Sequence, residues 1–299
     1  MNPKSPLINR PASDIVALGR DGPVSAATLS HRALHLARQL PAHRYVINLC
    51  ADPIEFMFGF CAAMAAGQCT LMPPNRLEST IAEVRDDYPD GYVMGSGGGD
   101  FDVRAALADA PTKPDGPFDP IDLDPEQLGT IAFTSGSTGK PQPNRKYWNT
   151  LRTGAIANAA MMLGPLDETM HLLTTVPPQH MWGLETSVLL PLFARAAISG
   201  RTPFYPQDVR EALSRLPEPR VLVSTPVHLA AMVRSGLGFP GLHRVLCATA
   251  PLATDLAREV EAAFNTELLE VFGCTESGIL ASRPILRDET WTLADIFNL

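Results

Sequence analysis

The sequence predicts an α/β fold in which layered, mostly parallel sheets carry helices on their faces. Two observations support this prediction. Helix signals alternate along the chain with short β-branched runs, and 299 residues, 45% of them hydrophobic, are enough to bury a large core. The alternation stops at a polar stretch and then resumes, so we expect two α/β subdomains.

The first subdomain is predicted to contain clearly bounded helices and strands. Ser25 is expected to cap a helix whose apolar residues recur every three or four positions, and residues 45–50 form a strand. Asp52 and the proline after it indicate a second helix start, because a capping side chain precedes a residue suited to the first turn. Gly67 is expected to end this helix, and residues 69–72 form the next strand.

A segment rich in glycine, proline and aspartate, residues 95–125, separates the two halves. We therefore predict a first α/β subdomain at 1–110, a linker at 111–127 and a second α/β subdomain at 128–299. The glycine run at 95–99 lacks an evident preceding strand and a neighbouring cation, so we interpret it as a flexible connection and not as a phosphate loop.

Beyond the linker, strands and helices alternate again. Strands are predicted at 130–133, 221–223, 245–248 and 268–272, and helices at 148–162, 226–236 and from about 254.

Composition narrows the class of protein. The net charge of −8 argues against a nucleic-acid partner, which requires a basic face. The five cysteines are scattered and form no Cys-x-x-Cys pair, which indicates a reducing, cytoplasmic setting without a zinc site. The most apolar stretch, residues 56–72, is interrupted by glycines and is expected to form buried core, so no membrane span is predicted.

A loop rich in glycine and hydroxyl groups follows the strand at 130–133. Such a lining suits a polyphosphate, because glycines let backbone amides approach the oxygens, hydroxyls donate hydrogen bonds and a lysine supplies positive charge. The loop consists of Thr134, Ser135, Gly136, Ser137, Thr138, Gly139, Lys140 and Pro141. It is not a Walker A loop, since that motif needs glycine at position 134 and a hydroxyl residue at position 141.

The loop at 134–141 resembles the signature phosphate loop of the adenylate-forming (AMP-binding) superfamily, which includes acyl-CoA synthetases, peptide-synthetase adenylation domains and luciferases. Further segments resemble this family from about residue 24 to 276. The resemblance implies the large N-terminal domain of the adenylate-forming fold. One position departs from the pattern, because Gln142 stands where many relatives carry lysine, although Arg145 and Lys146 follow.

Residues 271–276 resemble the family's aromatic-Gly-x-Thr-Glu motif. The resemblance implies that Phe272 stacks on the adenine beside Gly273, that Thr275 contacts the α-phosphate, and that Glu276 helps to hold Mg²⁺. Phenylalanine replaces the more usual tyrosine, so stacking is kept but a phenol hydrogen bond is lost.

Three other segments complete the resemblance. Thr249, Ala250 and Pro251 correspond to the segment that lines the adenine pocket, with Ala248 and Thr249 in place of two glycines, which implies a less free backbone. The segment around Thr225 leads toward the acyl pocket. The stretch 177–183 matches the family's Pro-x-x-His-x-x-Gly pattern. It implies a position beside the acyl carboxylate for His180, and positions that shape the acyl pocket for Trp182 and Gly183.

The family normally continues beyond the length of this chain, with a ribose-binding aspartate, a hinge and a small mobile domain that carries a catalytic lysine. None of these has a counterpart before residue 299, and the apolar ending at 291–299 leads us to expect a truncated chain. The run 177–185 looks most like ligases of aryl-polyene and xanthomonadin-type pigment clusters, which implies an aromatic acid substrate.

The implied function is ATP-dependent activation of a carboxylic acid, aromatic or fatty, as its acyl-AMP. Mg²⁺ would assist, and the thiol of CoA or of the phosphopantetheine on an acyl carrier protein would accept the acyl group. Thr275, Glu276 and His180 are the expected catalytic residues. The alternatives are a non-catalytic nucleotide-binding module and one half of a split ligase, which predict ATP binding without acid-dependent pyrophosphate exchange by this chain alone.

Overall fold

A computed structural model of the chain describes residues 5–111, 118, 120–135, 141–165 and 167–295, with the backbone alone at Ser135 and Pro141. The strands are β1 Ser5–Pro6, β2 Ile15–Gly19, β3 Gly22–Ser25, β4 Tyr45–Asn48, β5 Cys69–Met72, β6 Gly91–Gly95, β7 Phe101–Asp102, β8 Asp122–Leu123, β9 Leu128–Ser135, β10 Pro141–Tyr147, β11 Met170–Thr174, β12 Ala196–Ser199, β13 Arg220–Ser224, β14 Arg244–Cys247, β15 Glu267–Cys274, β16 Gly278–Arg283 and β17 Thr292–Leu293.

The helices are α1 Ala26–Ala37, α2 Pro53–Ala65, α3 Glu78–Asp87, α4 Val103–Ala108, α5 Trp148–Leu163, α6 Met181–Leu184, α7 Leu190–Phe193, α8 Pro206–Arg215, α9 Pro226–Arg234 and α10 Thr254–Phe264. A π-helical turn, Glu185–Leu189, joins α6 to α7. None of the helices in the described ranges is long and apolar enough to cross a bilayer.

Two large sheets organise the described part of the chain. A nine-stranded sheet has the order β17-β16-β15-β14-β13-β11-β12-β2-β3, and its strands from β15 to β2 are parallel. A six-stranded sheet has the order β10-β9-β5-β4-β6-β7 and is parallel except for β10. The prediction of an α/β fold with mostly parallel sheets and flanking helices is confirmed.

Helix α2 lies between the two sheets. It contacts β4 and β5 of the smaller sheet and β12 of the larger one, and almost all of its residues are buried. Burial on all sides explains why this segment is apolar all round, as is expected of an interior helix. The expectation that residues 56–72 form core as a helix followed by a strand is therefore confirmed.

The predicted helix starts are also confirmed at the level of single hydrogen bonds. The Ser25 hydroxyl accepts from the Thr28 amide at 3.1 Å, and the Asp52 carboxylate accepts from the amides of Ile54 at 2.8 Å and Glu55 at 3.3 Å. These bonds satisfy amides that the first turn of a helix leaves without a backbone partner.

The sheets do not follow the predicted boundary at 111–127. Strand β9, which comes after it, pairs with β5, and β12, which also comes after it, pairs with β2. Separate folding of subdomains 1–110 and 128–299 stays a prediction. The premise that no strand precedes the glycine run at 95–99 was wrong, because β6 ends at Gly95. Within this run, the Gly97 amide donates to the Asp102 carboxylate at 2.9 Å.

Gly183 lies in α6, at a point where two backbone segments touch. A Cβ atom at this position would overlap the carbonyl oxygen of Pro177, so only glycine allows the helix to approach the preceding loop. Gly183 does not line the cavity described below. Its place in the fold therefore rests on backbone packing, and the part in shaping the acyl pocket that the family resemblance implied for it stays a prediction.

We expect Gly183→Ala to destabilise the protein by about 2–3 kcal/mol or to prevent folding, because the backbone would have to separate. Urea unfolding measures the change. Gly154→Ala is the matched control, since that glycine lies in α5 with no atom within 4 Å of an added Cβ. It should gain roughly 0.5–1 kcal/mol in free energy of unfolding. Equal stabilities of the two variants would contradict the close approach.

Candidate active site

A cavity of about 610 Å³ opens beyond the carboxyl ends of strands β11, β13, β14 and β15. The segments that leave these strands line it, namely residues 175–177, Thr225, residues 248–249 and residues 273–276. In open sheets of parallel strands this edge is where ligands bind, because the loops that follow adjacent strands converge there. The volume is typical of a small-molecule site.

The cavity brings together seven of the residues singled out in the sequence: His180, Trp182, Thr225, Thr249, Gly273, Thr275 and Glu276. Ala250, Pro251, Phe272 and Thr134 are described but do not line it. Phe272 is 55% exposed, and its ring packs against Trp291 with centroids 5.6 Å apart. The predicted loop residues Gly136, Ser137, Thr138, Gly139 and Lys140 lie outside the described residues, as does the side chain of Ser135.

The turn after β15 is connected to the smaller sheet by Lys146. This lysine lies in β10, the strand that follows the predicted phosphate loop, and its Nζ donates to the backbone oxygen of Glu276 at 2.5 Å. Burial of the Lys146 ammonium lowers its pKa, partly offset by the nearby charge of Glu185. The contact brings the strand leaving the loop at 134–140 against the turn that carries Thr275 and Glu276. In the sequence, Lys146 stands out only as a cation near this loop.

Thr249 has a backbone conformation that is unusual for a β-branched residue. Its φ is 84°, in the left-handed region that favours glycine. The residue is exposed and follows β14 at the rim of the cavity. The resemblance placed a glycine of the family here, and this backbone geometry gives a physical reason for one. Strain of this kind is often found at functional sites.

The two histidines of the cavity, His180 and His228, have lowered pKa values. The His180 ring is open to solvent through the cavity, yet the surrounding protein and the nearby charge of Arg76 lower its pKa. Burial also lowers the pKa of His228.

The Thr225 hydroxyl caps α9, accepting from the His228 amide at 3.5 Å, and the Trp182 indole donates to the Ser224 oxygen at 3.4 Å. Trp182 and Thr225 are thus fixed by contacts within the protein.

Sequence reasoning missed Glu185, an acidic residue on the cavity wall. It begins the π-helical turn, and its Oε1 accepts from the Ile279 amide at 3.2 Å. Burial raises the pKa of Glu185 from its ordinary value of 4.5 to about 7, although the Ile279 amide and Lys146 act in the opposite direction. A single charged residue within the otherwise uncharged run 181–193 was the available signal, since a carboxyl group is seldom buried without a partner or a function.

Glu276 is suited to Mg²⁺ as a partial ligand. Its carboxylate is exposed at the mouth of the cavity, and the described residues contain no group of three acidic, histidine or cysteine side chains that would form a full metal cage. Mg²⁺ is commonly held by one or two carboxylates together with substrate phosphates and water. The described residues therefore fit a metal that arrives with a nucleotide.

We expect Thr249→Gly to be more stable than Thr249→Ala by about 1 kcal/mol, measured by urea unfolding. Alanine keeps the side-chain strain at positive φ, which costs about 1–2 kcal/mol, and glycine removes it. At positions with negative φ the order is reversed, and the alanine variant is the more stable one. An alanine variant at least as stable as the glycine variant would show that Thr249 is not held in the left-handed region.

The free energy of unfolding of Glu185→Gln, relative to that of the wild type, should increase as pH rises from 5 to 8. Between pH 4.5 and about 7 the folded wild type keeps a proton that the unfolded chain has lost, so its stability falls as pH rises. The shift corresponds to a difference on the order of 3 kcal/mol by pH 8. Denaturant unfolding at several pH values measures it, and a constant difference between the two proteins would contradict the raised pKa.

The comparisons with known proteins agree with the site. The family model described as "AMP-binding enzyme" matches residues 96–295. A 4-coumarate–CoA ligase of Halorhodospira halophila is 34% identical over 158 residues, which cover 52% of this chain and 37% of that protein. A 4-coumarate–CoA ligase of Rhodobacter capsulatus is 30% identical over 169 residues, which cover 56% of this chain and 42% of that protein.

Solved structures of similar fold cover nearly the whole chain. ATP-bound MatB from Rhodopseudomonas palustris aligns with a TM-score of 0.75 at 20% identity, over 94% of this chain and 60% of that one. The o-succinylbenzoate CoA synthetase MenE from Bacillus subtilis, in complex with its acyl-adenylate intermediate OSB-AMP, aligns with a TM-score of 0.76 at 16% identity. This alignment covers 94% of the present chain and 61% of the MenE chain.

The chain spans about two fifths of the length of those curated relatives and about three fifths of those solved chains. Its fold is that of the solved acyl-CoA synthetase structures. Since the family model matches residues 96–295, which carry every residue that lines the cavity, the chain belongs to the AMP-binding enzyme family.

Proposed function

We propose that this chain takes part in the ATP-dependent activation of a carboxylic acid as its acyl-AMP, followed by transfer of the acyl group to a thiol. The observation that carries the proposal is the convergence of Thr275, Glu276, Thr249 and His180 on one cavity within the family-matched region. These residues come from three different segments, and a surface turn alone would not bring them together.

The nucleotide is expected at the open side of this cavity. In the proposal, the adenine lies beside the segment Thr249, Ala250 and Pro251 and stacks on Phe272, which is exposed and already packed against another ring. The amides and hydroxyls of residues 134–139, with Lys140, hold the β- and γ-phosphates. Lys146 supports this arrangement, because it joins the strand after that loop to the Glu276 turn.

In the chemical step, an oxygen of the acid attacks the α-phosphorus of ATP. A bond to the α-phosphorus forms, the bond to the bridging β-oxygen breaks, and pyrophosphate leaves. The Thr275 hydroxyl donates to the α-phosphate as charge develops there. Glu276 would help to hold Mg²⁺, which would supply positive charge to the phosphates. A ring nitrogen of His180 can donate a hydrogen bond to the acid and orient its carboxylate, and the lowered pKa of this histidine disfavours an ion pair with the acid.

Transfer to a thiol completes the proposed reaction. The sulfur attacks the acyl carbon, the bond from that carbon to the AMP oxygen breaks, and AMP leaves with the thioester formed. The curated relatives named above are CoA ligases, which supports CoA as the acceptor. The phosphopantetheine of a carrier protein offers the same thiol and is the alternative acceptor. The same two names support an aromatic acid as substrate.

The test is ATP binding by calorimetry together with acid-dependent ATP–pyrophosphate exchange, for the wild type and three variants. Lys140→Ala should weaken ATP binding roughly tenfold or more, because a charge-assisted contact to phosphate is lost. Thr275→Val keeps the side-chain shape but removes the donor, and should lower exchange about a hundredfold with a smaller effect on ATP binding. Glu276→Gln should make binding less dependent on Mg²⁺.

Arg215→Ala is the control for loss of a surface cation, since Arg215 is exposed on α8 and does not line the cavity. It should leave both measurements unchanged. ATP binding without exchange for any aromatic, aliphatic or amino acid would favour a nucleotide-binding module or a split ligase. If ATP does not bind, or binds with an affinity that Lys140 does not influence, the ligase function is refuted.

A further inference from the structure

The closed end of the cavity contains a carboxyl group that the proposed adenylation chemistry does not use. Glu276 and Cys274 are exposed at the mouth, whereas Glu185, Gly278 and Ile279 are buried. Glu185 therefore lies on the side of the cavity away from the mouth. A buried carboxyl group costs free energy to keep, which makes its position on a cavity wall informative.

The two oxygens of Glu185 have different surroundings. Oε1 accepts from the Ile279 amide at 3.2 Å and lies against Gly278. Among the described residues, no group donates a hydrogen bond to Oε2, and Lys146 forms no ion pair with Glu185 within 4.0 Å. Oε2 has no partner in that part of the chain, yet it is not sealed from solvent, so it is reached from the cavity. One acceptor is thus bound within the protein, and the other is available to a ligand.

The wall around this acceptor is mostly apolar. Val176, Met181, Trp182, Val271 and Ile279 line the cavity together with Glu185. Thr175 also lines it, but its hydroxyl is paired with the Ser224 hydroxyl at 2.9 Å. A ligand in this space therefore meets apolar surface along its body and one free hydrogen-bond acceptor near the closed end.

We propose that Glu185 selects acids with an apolar skeleton that carries a hydroxyl or amino donor away from the activated carboxyl group. This inference rests on the proposed function, because it places the acid in the cavity with its carboxylate toward Thr275. The donor would bond to Oε2 while Ile279 retains Oε1. Above pH 7, where Glu185 is ionised, a second carboxylate on the acid would be disfavoured, since two like charges would meet at the buried end.

The test compares acids that differ only at the distal group: 3-hydroxybenzoate, benzoate and 3-methoxybenzoate, and 4-coumarate, cinnamate and 4-methoxycinnamate. Calorimetric titration at pH 8, where the carboxyl group of Glu185 is mostly ionised, gives the dissociation constants for the wild-type chain in MgATP. In at least one series the hydroxylated acid should bind about tenfold or more tightly than both analogues, because only it donates to Oε2. Equal affinities within both series, or no binding by either hydroxylated acid, would overturn the inference.

Glu185→Gln provides a second, independent readout. Its amide oxygen should remain on the Ile279 amide, which leaves the NH₂ group facing the cavity. The preference should then reverse, with the methoxy acid, an acceptor, binding more tightly than the hydroxy acid. If Glu185 had only a structural role, the substitution would instead weaken the binding of all the acids by the same factor. A variant that does not fold leaves the wild-type ranking as the deciding measurement.

Failure of this inference can be distinguished from failure of the proposed function. Exchange that depends on acid but shows no preference for a distal donor refutes the subsite and leaves adenylation standing. Hydroxyl-selective binding of acids without exchange supports the subsite and counts against catalysis by this chain. Binding of a dicarboxylic acid as tight as that of the hydroxylated acid would also contradict an acidic group at the closed end.

Discussion

The parallel alignment of strands β11, β13, β14 and β15 is the constraint on which the rest of the structure depends. Parallel strands end at the same edge of a sheet, so residues far apart in the chain are delivered to one cavity. The second sheet reaches the same place through Lys146, whose ammonium group binds the backbone of Glu276. The buried helix α2 contacts both sheets, and its apolar surface favours their association.

The walls of this cavity contain features that stability alone would not favour. Thr249 adopts a left-handed backbone, and Glu185 is a buried carboxyl group, one of whose oxygens accepts no hydrogen bond from the described residues. Natural sequences break local rules mainly where a site requires it, and both of these departures lie on the wall of one cavity.

The proposed function requires this chain to bind two anions, ATP and a carboxylate. The chain is acidic overall, so attraction of ATP cannot come from a general basic surface. In the proposal, the lysine and the amides of the loop at 134–140 provide this attraction locally, and His180 donates a hydrogen bond to the acid. Glu276 is exposed, whereas Glu185 is buried on the cavity wall.

The sequence by itself determined the fold class, the helix caps at Ser25 and Asp52, and seven of the residues that line the cavity, because these depend on local periodicity or on short motifs. Tertiary structure decided what depends on distant segments. It alone showed that β2 joins the larger sheet, that Gly183 serves packing against Pro177, and that Lys146 contacts the Glu276 turn. It alone also revealed Glu185 on the cavity wall. This carboxyl group is buried and accepts a hydrogen bond from Ile279, which lies 94 positions later in the chain, and such a distant contact leaves no local pattern in the sequence.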